Sequence, residues 1–290
     1  MKSTIALRLL ACLALLLPVA AIAHPALWMV KDADTTIYLF GTVHLLPNDT
    51  DWRWPALEKA LADSGSLTIE LTDDDPARMQ ALVLQYGLDP AHPLSDKLSA
   101  AENATLTRAA QTAGVPGGAS TLRMMRPWLA GLTLTVAPLL KAGLDPAHGV
   151  DKLLKAQMQA AGKPVNGLET SEQQIRFLAD LPADVELEFL RSTLRDADKG
   201  SGELTTLIDA WKRGDVATIA HIEDEDLARH APALYQRLLV QRNRSWAVKI
   251  AAMLQRPGTV FIAVGAAHLA GPDSVQSQLE SRGTPVERLH

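Results

Sequence analysis

Two Gly-x-x-His tetrapeptides, Gly41-Thr42-Val43-His44 and Gly265-Ala266-Ala267-His268, each follow an apolar run, Thr36 to Phe40 and Thr259 to Val264. Imidazole is the side chain best suited to hold a transition metal or pass a proton near neutral pH. A histidine just past a strand tip stands at the rim of a sheet, where open α/β proteins place their chemistry. The glycine before it lets backbone or ligand approach closely. A lone histidine after a strand is ordinarily a loop or core residue. The repetition points to an enzyme.

A third signal comes from the segment Pro232 to Leu254, whose Tyr235, Leu239, Trp246, Ile250 and Met253 recur at helical spacing. Arg242 falls in the middle of this apolar stripe. A guanidinium on a core-facing stripe needs an anionic partner, because unpaired burial costs several kcal/mol. That partner is a structural carboxylate, a substrate oxyanion or a metal-bound anion, unless the long stem reaches water. Asn243 is adjacent and can donate to the same oxyanion.

Stepping from these residues to the elements that carry them, helical and strand patterns alternate through the chain and predict an α/β fold with a mixed sheet flanked by helices. Trp28 to Val30 and Thr36 to Phe40 form a hairpin. A helix over Pro55 to Ala62 leads to a strand, Ser66 to Leu71, carrying Glu70. Asp73-Asp74-Asp75-Pro76 is a helix start rather than a metal cluster. Helices at Pro76 to Tyr86, Ala100 to Ala113 and Trp128 to Lys141, broken at Gly87 to Pro93 and Gly114 to Gly118, make the middle a mainly helical cap. A helix over Val150 to Ala161, which Asp151 can cap, precedes an extended Val165 to Leu168. Glu169 then stands at a strand-to-helix junction, with Thr170 or Ser171 opening the next helix. The first and last units share the order strand, Gly-x-x-His, helix, glycine, strand, glutamate, ending at Glu70 and Glu287, which suggests two similar halves. Glu223-Asp224-Glu225-Asp226 reads as a solvated acidic stretch. His92, His148, His221, His230 and His290 have no partner at ligand spacing and read as loop or surface residues.

Composition narrows the function. Lys2, Arg8, the apolar Leu9 to Ile22 and the small-x-small Ala21-Ile22-Ala23 form a secretory signal cut after Ala23, giving an exported, periplasmic or secreted protein. Lipoprotein processing at Cys12 would leave too short a signal. Residues 24–290 form a single α/β domain without a later membrane-length apolar segment. Cys12 is the only cysteine, so the mature chain has neither disulfide nor thiolate ligand, and any metal takes nitrogen and oxygen donors. Loss of Lys2 and Arg8 takes the formal charge from −5 to −7, a poor match to nucleic acid and a better one to peptide or small-molecule substrates. No phosphate loop, dinucleotide fingerprint or Gly-x-Ser-x-Gly elbow is present.

The two tetrapeptides, Leu67-Thr68-Ile69-Glu70-Leu71, the segment from Gly149-Val150-Asp151 through Gly167-Leu168-Glu169-Thr170 with Glu172-Gln173, and Arg242-Asn243-Arg244-Ser245-Trp246 together resemble the TraB/GumN family. That family is related to the Tiki metalloproteases, which depend on manganese or cobalt, and remotely to erythromycin esterase-like and ChaN-like proteins. The resemblance implies a metal held by His44 and His268, with Glu70 or Glu169 completing the shell. Manganese, cobalt and zinc all suit such donors. In the division adopted here Glu70 is the ligand, Glu169 transfers a proton, and Arg242 with Asn243 meets the developing oxyanion. Thr42 stands where erythromycin esterase-like proteins carry an acid, which argues against carrying over the esterase mechanism. The expected function is a metal-dependent hydrolase of peptide or amide bonds. The alternative is a non-catalytic periplasmic protein that binds a peptide or assists envelope or polysaccharide assembly.

Overall fold

The computed structural model describes residues 24–47, 49–73, 75–197 and 202–289, so the signal segment, Asp74 and His290 lie outside the described residues. Strands β1 (Leu27–Lys31) and β2 (Thr35–Thr42) form the expected antiparallel hairpin, with Val30 opposite Ile37. Asp32 closes its turn by accepting from the Thr35 N–H at 2.8 Å. Strands β3 (Ser66–Leu71), β4 (Val165–Glu169), β5 (Gly258–Gly265) and β6 (Glu287–Leu289) complete one mixed sheet in the order β4-β3-β5-β2-β1-β6. Strands β4, β3, β5 and β2 are successive parallel neighbours, and β1 pairs antiparallel with both β2 and β6.

Along the chain the principal helices are α1 (Pro55–Asp63), α2 (Pro76–Gly87), α3 (Ala100–Ala113), α4 (Pro127–Lys141), α5 (Val150–Ala160), α6 (Ser171–Ala179), α7 (Ala183–Asp196), α8 (Gly202–Lys212), α9 (Gln241–Met253) and α10 (Val275–Glu280). Successive strand residues point to opposite faces, so both faces of the sheet are apolar. Phe40, Leu67, Ile69 and Phe261 face a core completed by Leu57 and Leu61 of α1, Leu154 of α5 and Trp211 of α8. Ile37, Leu39, Ile262 and Val264 face a second core with Trp246 and Ile250 of α9 and Leu279 of α10.

The middle of the chain is helical, with its own core of Leu106, Ala110, Leu134, Leu190 and Leu194 from α3, α4 and α7. Arg126, just before α4, ties it together by donating to the carbonyls of Tyr86 and Ala179 and to the buried Glu186. Gly114 ends α3 in the left-handed region at φ 75°, a conformation that favours glycine. Asp75 caps α2 by accepting from the Ala77 N–H at 2.9 Å. Thr170 and Gln173 form a reciprocal capping box at the start of α6.

The single helix expected from Pro232 to Leu254 is a short helix, Pro232–Tyr235, a π-helical turn, Gln236–Val240, and then α9. The two outer units resemble each other through their histidines and diverge beyond them. The first ends on the inner strand β3, whereas the last ends on the short edge strand β6, where exposed Glu287 lies opposite Met29. Glu287 is therefore remote from Glu70. The acidic stretch also differs from expectation: a π-helical turn, Ala220–Glu225, turns Asp224 inward, leaving it 4% exposed. No helix among the described residues is long and apolar enough to cross a membrane.

Candidate functional site

Parallel pairing of β2 and β5 places Thr42 opposite Gly265, so tetrapeptides far apart in sequence leave the sheet side by side. Gly41 permits the contact, since a Cβ there would come within 3.1 Å of the Ala266 Cα. On the other flank of β5, Ile69 of β3 lies opposite Ala263, and Glu70 follows one residue further toward the same sheet end. Strand alternation turns Glu70 to the face covered by α9. Glu169, at the tip of β4, pairs with Leu71.

Glu70, Glu169, His268 and Arg242 meet there, each nearly buried, and His44 stands at the rim with its side chain 58% exposed. The Gly265 N–H donates to Glu70 Oε1 at 2.7 Å. A Cβ on Gly265 would lie 3.2 Å from that oxygen, 3.5 Å from His44 Nε2 and 3.6 Å from His268 Cδ2. Glu70, His44 and His268 thus all come close to Gly265, and a side chain there would crowd Glu70 first. Glu70 Oε1 and His268 Nε2 are 3.9 Å apart.

Both imidazoles are fixed through Nδ1. His44 Nδ1 donates to Asp151 Oδ1 at 3.1 Å, and His268 Nδ1 donates to Asn243 Oδ1 at 2.6 Å. The amide orientation of Asn243 follows from its other end, since Nδ2 donates to the Asp273 carbonyl at 2.8 Å. Tyr235 steadies the same loop by donating to Asp273 Oδ2. His268 Nε2 is thereby left facing Glu70 Oε1 and His44 Nε2 facing Gly265, much as outer partners orient metal-binding histidines. Burial, aided by Arg242 and His44 and opposed by Glu70, lowers His268 to about 3, so its Nε2 offers a lone pair. For His44, partial desolvation at the rim is outweighed by the bond to Asp151 and by the charges of Asp151 and Glu70, which push it up to about 9. Burial alone would raise Glu70, but the flanking His268, Arg242 and His44 and the Gly265 N–H hold it at about 2.

Arg242 finds the anionic partners its place on the stripe demands. It donates from Nε and Nη2 to Glu169 at 2.8 and 2.9 Å, from Nη2 to Glu70 Oε2 at 2.6 Å, and from Nη1 to His268 Nε2 at 3.1 Å. Its guanidinium lies between the rings of Trp246 and Phe177, at 4.7 and 5.3 Å. Trp246 Nε1 also donates to Glu169 Oε1, and Gln174 reaches Oε2 of both glutamates at 3.4 Å. Glu169 thus receives four donors, the full capacity of a carboxylate, while Glu70 Oε1 keeps room for one more partner.

The residues suit a divalent ion in kind: two oriented imidazole nitrogens and a carboxylate oxygen around the cradle at Gly265. Among the described residues no three such side chains are already closed on a common point. Arg242 lies between Glu70 and His268. Asn243, expected to meet an oxyanion, instead spends both ends of its amide on His268 and Asp273 and acts as a positioning residue.

Asp151, expected to cap a helix, makes no cap bond at α5 and holds His44 instead. Gly149 makes this possible, because a Cβ there would stand 2.6 Å from the His44 carbonyl oxygen, and the Val150 N–H donates to the Val43 carbonyl at 3.0 Å. Gln174 and Phe177 were also absent from the expected set. Their signal lies one and two turns beyond the Thr170 cap, on the α6 surface that follows Glu169. His92, His148 and His221 pair with Asp89, Asp145 and Glu225, acids three or four residues away in sequence.

Two relatives are both described as uncharacterized protein YbaP, one from Escherichia coli strain K12 and one from Shigella flexneri. Each is 26% identical over 261 residues, covering 88% of this chain and 92% of the relative. No solved structure matches the chain significantly. The model of the TraB/PrgY/gumN family matches residues 26–288, covering the first five strands, both tetrapeptides and the Arg242 helix, and the chain belongs to that family.

Proposed function

We propose that this protein is an exported, divalent-metal-dependent hydrolase of peptide or amide bonds. The observation that carries the proposal is the pair of imidazoles, each tied at Nδ1 by an outer partner and brought together with Glu70 beside Gly265. His44, His268 and Glu70 would hold the ion. A divalent cation there supplies Lewis acidity toward the scissile carbonyl and lowers the pKa of an attacking water. The likeness of the paired tetrapeptides to those of the Tiki metalloproteases supports a peptide substrate and makes manganese or cobalt, with zinc, the ions to try.

The protein's own groups account for the rest of the chemistry. Arg242 Nη1, beside His268, donates to the carbonyl oxygen as negative charge develops, and the Trp246 and Phe177 rings limit the motion of the guanidinium. Glu169 aligns Arg242. The longest of its four bonds is the 3.4 Å contact from Gln174, so Oε2 is the atom that opens to accept a proton from water and return it to the leaving amine.

Titration of the purified protein with manganese, cobalt and zinc, followed by cleavage of a peptide library, tests this reading. The wild type is expected to bind metal and to cut peptides, with both properties lost in His44→Ala and His268→Ala. Absence of metal uptake by the wild type refutes the metalloenzyme. Uptake without turnover favours the peptide-binding alternative.

A further inference from the structure

A cavity of about 340 Å³ opens beside the site, with Glu169 and Arg242 in its lining and its walls built from α6, the π-helical turn and α9. This is within the size range of small-ligand pockets. Its wall cations run against the acidic balance of the chain. Arg242 is already matched by Glu70 and Glu169, which leaves Arg176, Arg237 and Lys249 facing a single wall carboxylate, Asp180. Asp180 is itself shared, at 3.0 Å from Arg176 and 3.7 Å from Arg237. Lys249 donates to the Leu168 carbonyl and has no carboxylate partner among the described residues. A concave wall with an excess of one sign raises the local concentration of the opposite charge. Phe177 adds an apolar surface in the same cavity.

We infer that this cavity is the substrate-recognition pocket and that it takes a carboxylate carried by the peptide close to the bond to be cut. The inference rests on the hydrolase reading for the identity of the ligand as a peptide, but the charge preference belongs to the pocket. The carboxylate comes either from a peptide C-terminus or from an aspartate or glutamate side chain, and the two sources are separable.

The probes are acetyl-Ala-Ala-Ala as the free acid, the same peptide amidated, and amidated acetyl-Ala-Asp-Ala. Their binding to the full metal-free protein is followed by NMR titration, so that neither turnover nor a metal ion contributes. At least one carboxylated probe is expected to bind roughly fivefold more tightly than the amidated neutral peptide, the scale of one partly exposed ion pair. Preference for the free acid identifies a C-terminal carboxylate, and preference for the aspartate probe identifies a side chain. The advantage should disappear in Arg176→Gln and Lys249→Gln, whose side chains are exposed, and reverse in Lys249→Glu. Equal binding of all three probes, or an advantage that survives these substitutions, overturns the inference. Failure of metal uptake leaves this result intact, so the two readings fail separately.

Discussion

At the scale of single residues, the geometry of the two histidines depends on the partners that fix their rings. Asp151 and Asn243 each occupy Nδ1 of one histidine, leaving Nε2 to face inward. Loss of such an outer partner typically weakens metal binding by roughly 10- to 100-fold. Asp151→Asn should therefore lower manganese affinity by about that factor in a competition titration while leaving the circular dichroism spectrum unchanged. Unaltered affinity would show that Asp151 does not orient His44.

Asp224 offers a separate residue-scale test. It is buried beside Gly271, and Glu223, Glu225 and Asp273 are the charged groups near it, with Tyr235 hydrogen bonded to Asp273. Burial, reinforced by those carboxylates, pushes its pKa up from 3.8 to about 8. The folded protein holds this proton more tightly than the unfolded chain, so the contribution to stability is fully present below pH 3.8 and is lost as pH rises through about 8. Asp224→Asn removes the titration. The variant should match the wild type near pH 3 and exceed it by roughly 5 kcal/mol at pH 8 in urea unfolding. A difference independent of pH would refute this account.

At the scale of elements, the decisive device is the parallel contact between β2 and β5, from which the two tetrapeptides emerge together. Gly265 sits at φ −50°, where alanine is comfortable, but an alanine Cβ would press on Glu70 Oε1 at 3.2 Å and occupy the point between the histidines. Gly265→Ala should consequently keep most of the stability, within about 1 kcal/mol, while lowering metal affinity at least tenfold. Paired melting and metal-binding measurements would expose the opposite pattern, a large stability loss with intact affinity. Helices α3 and α6 were legible in the chain because their signals are local. Ser99 and Glu102 form a reciprocal cap, α3 stops at Gly114, and the Thr170 cap opens α6 directly after Glu169. The π-helical turns at Ala220–Glu225 and Gln236–Val240 were not legible. An extra residue in a turn changes no residue type, yet it rotates everything after it, which is how Asp224 came to face inward.

At the scale of the whole molecule, the sheet begins almost at the proposed cleavage point. His24 stacks on Trp54 at 5.2 Å, Ala26 is buried, and β1 starts at Leu27 as the strand joining β2 to β6. A cut more than a few residues beyond Ala23 would remove part of β1, whereas a cut at Ala23 leaves the sheet whole. Intact-mass analysis of the protein released from the periplasm of an expressing cell should therefore give a chain starting at His24. A retained signal segment, or a start inside β1, would contradict the export reading.

Residue types and the local elements bearing them are written in the chain: two histidines after strands, acids at strand ends, an arginine on an apolar stripe, and no thiol after Cys12. These follow from periodicity, capping and composition, which act over a few residues. Which groups meet is set by the packing of distant elements. The placement of β5 between β2 and β3 joins His44, His268 and Glu70, packing of α9 brings Arg242 onto both glutamates, and docking of Gly149 on His44 makes Asp151 a partner instead of a cap. Those outcomes depend on contacts between residues far apart in the chain, where strand order, burial and close approach act and local patterns carry no record of the pairing.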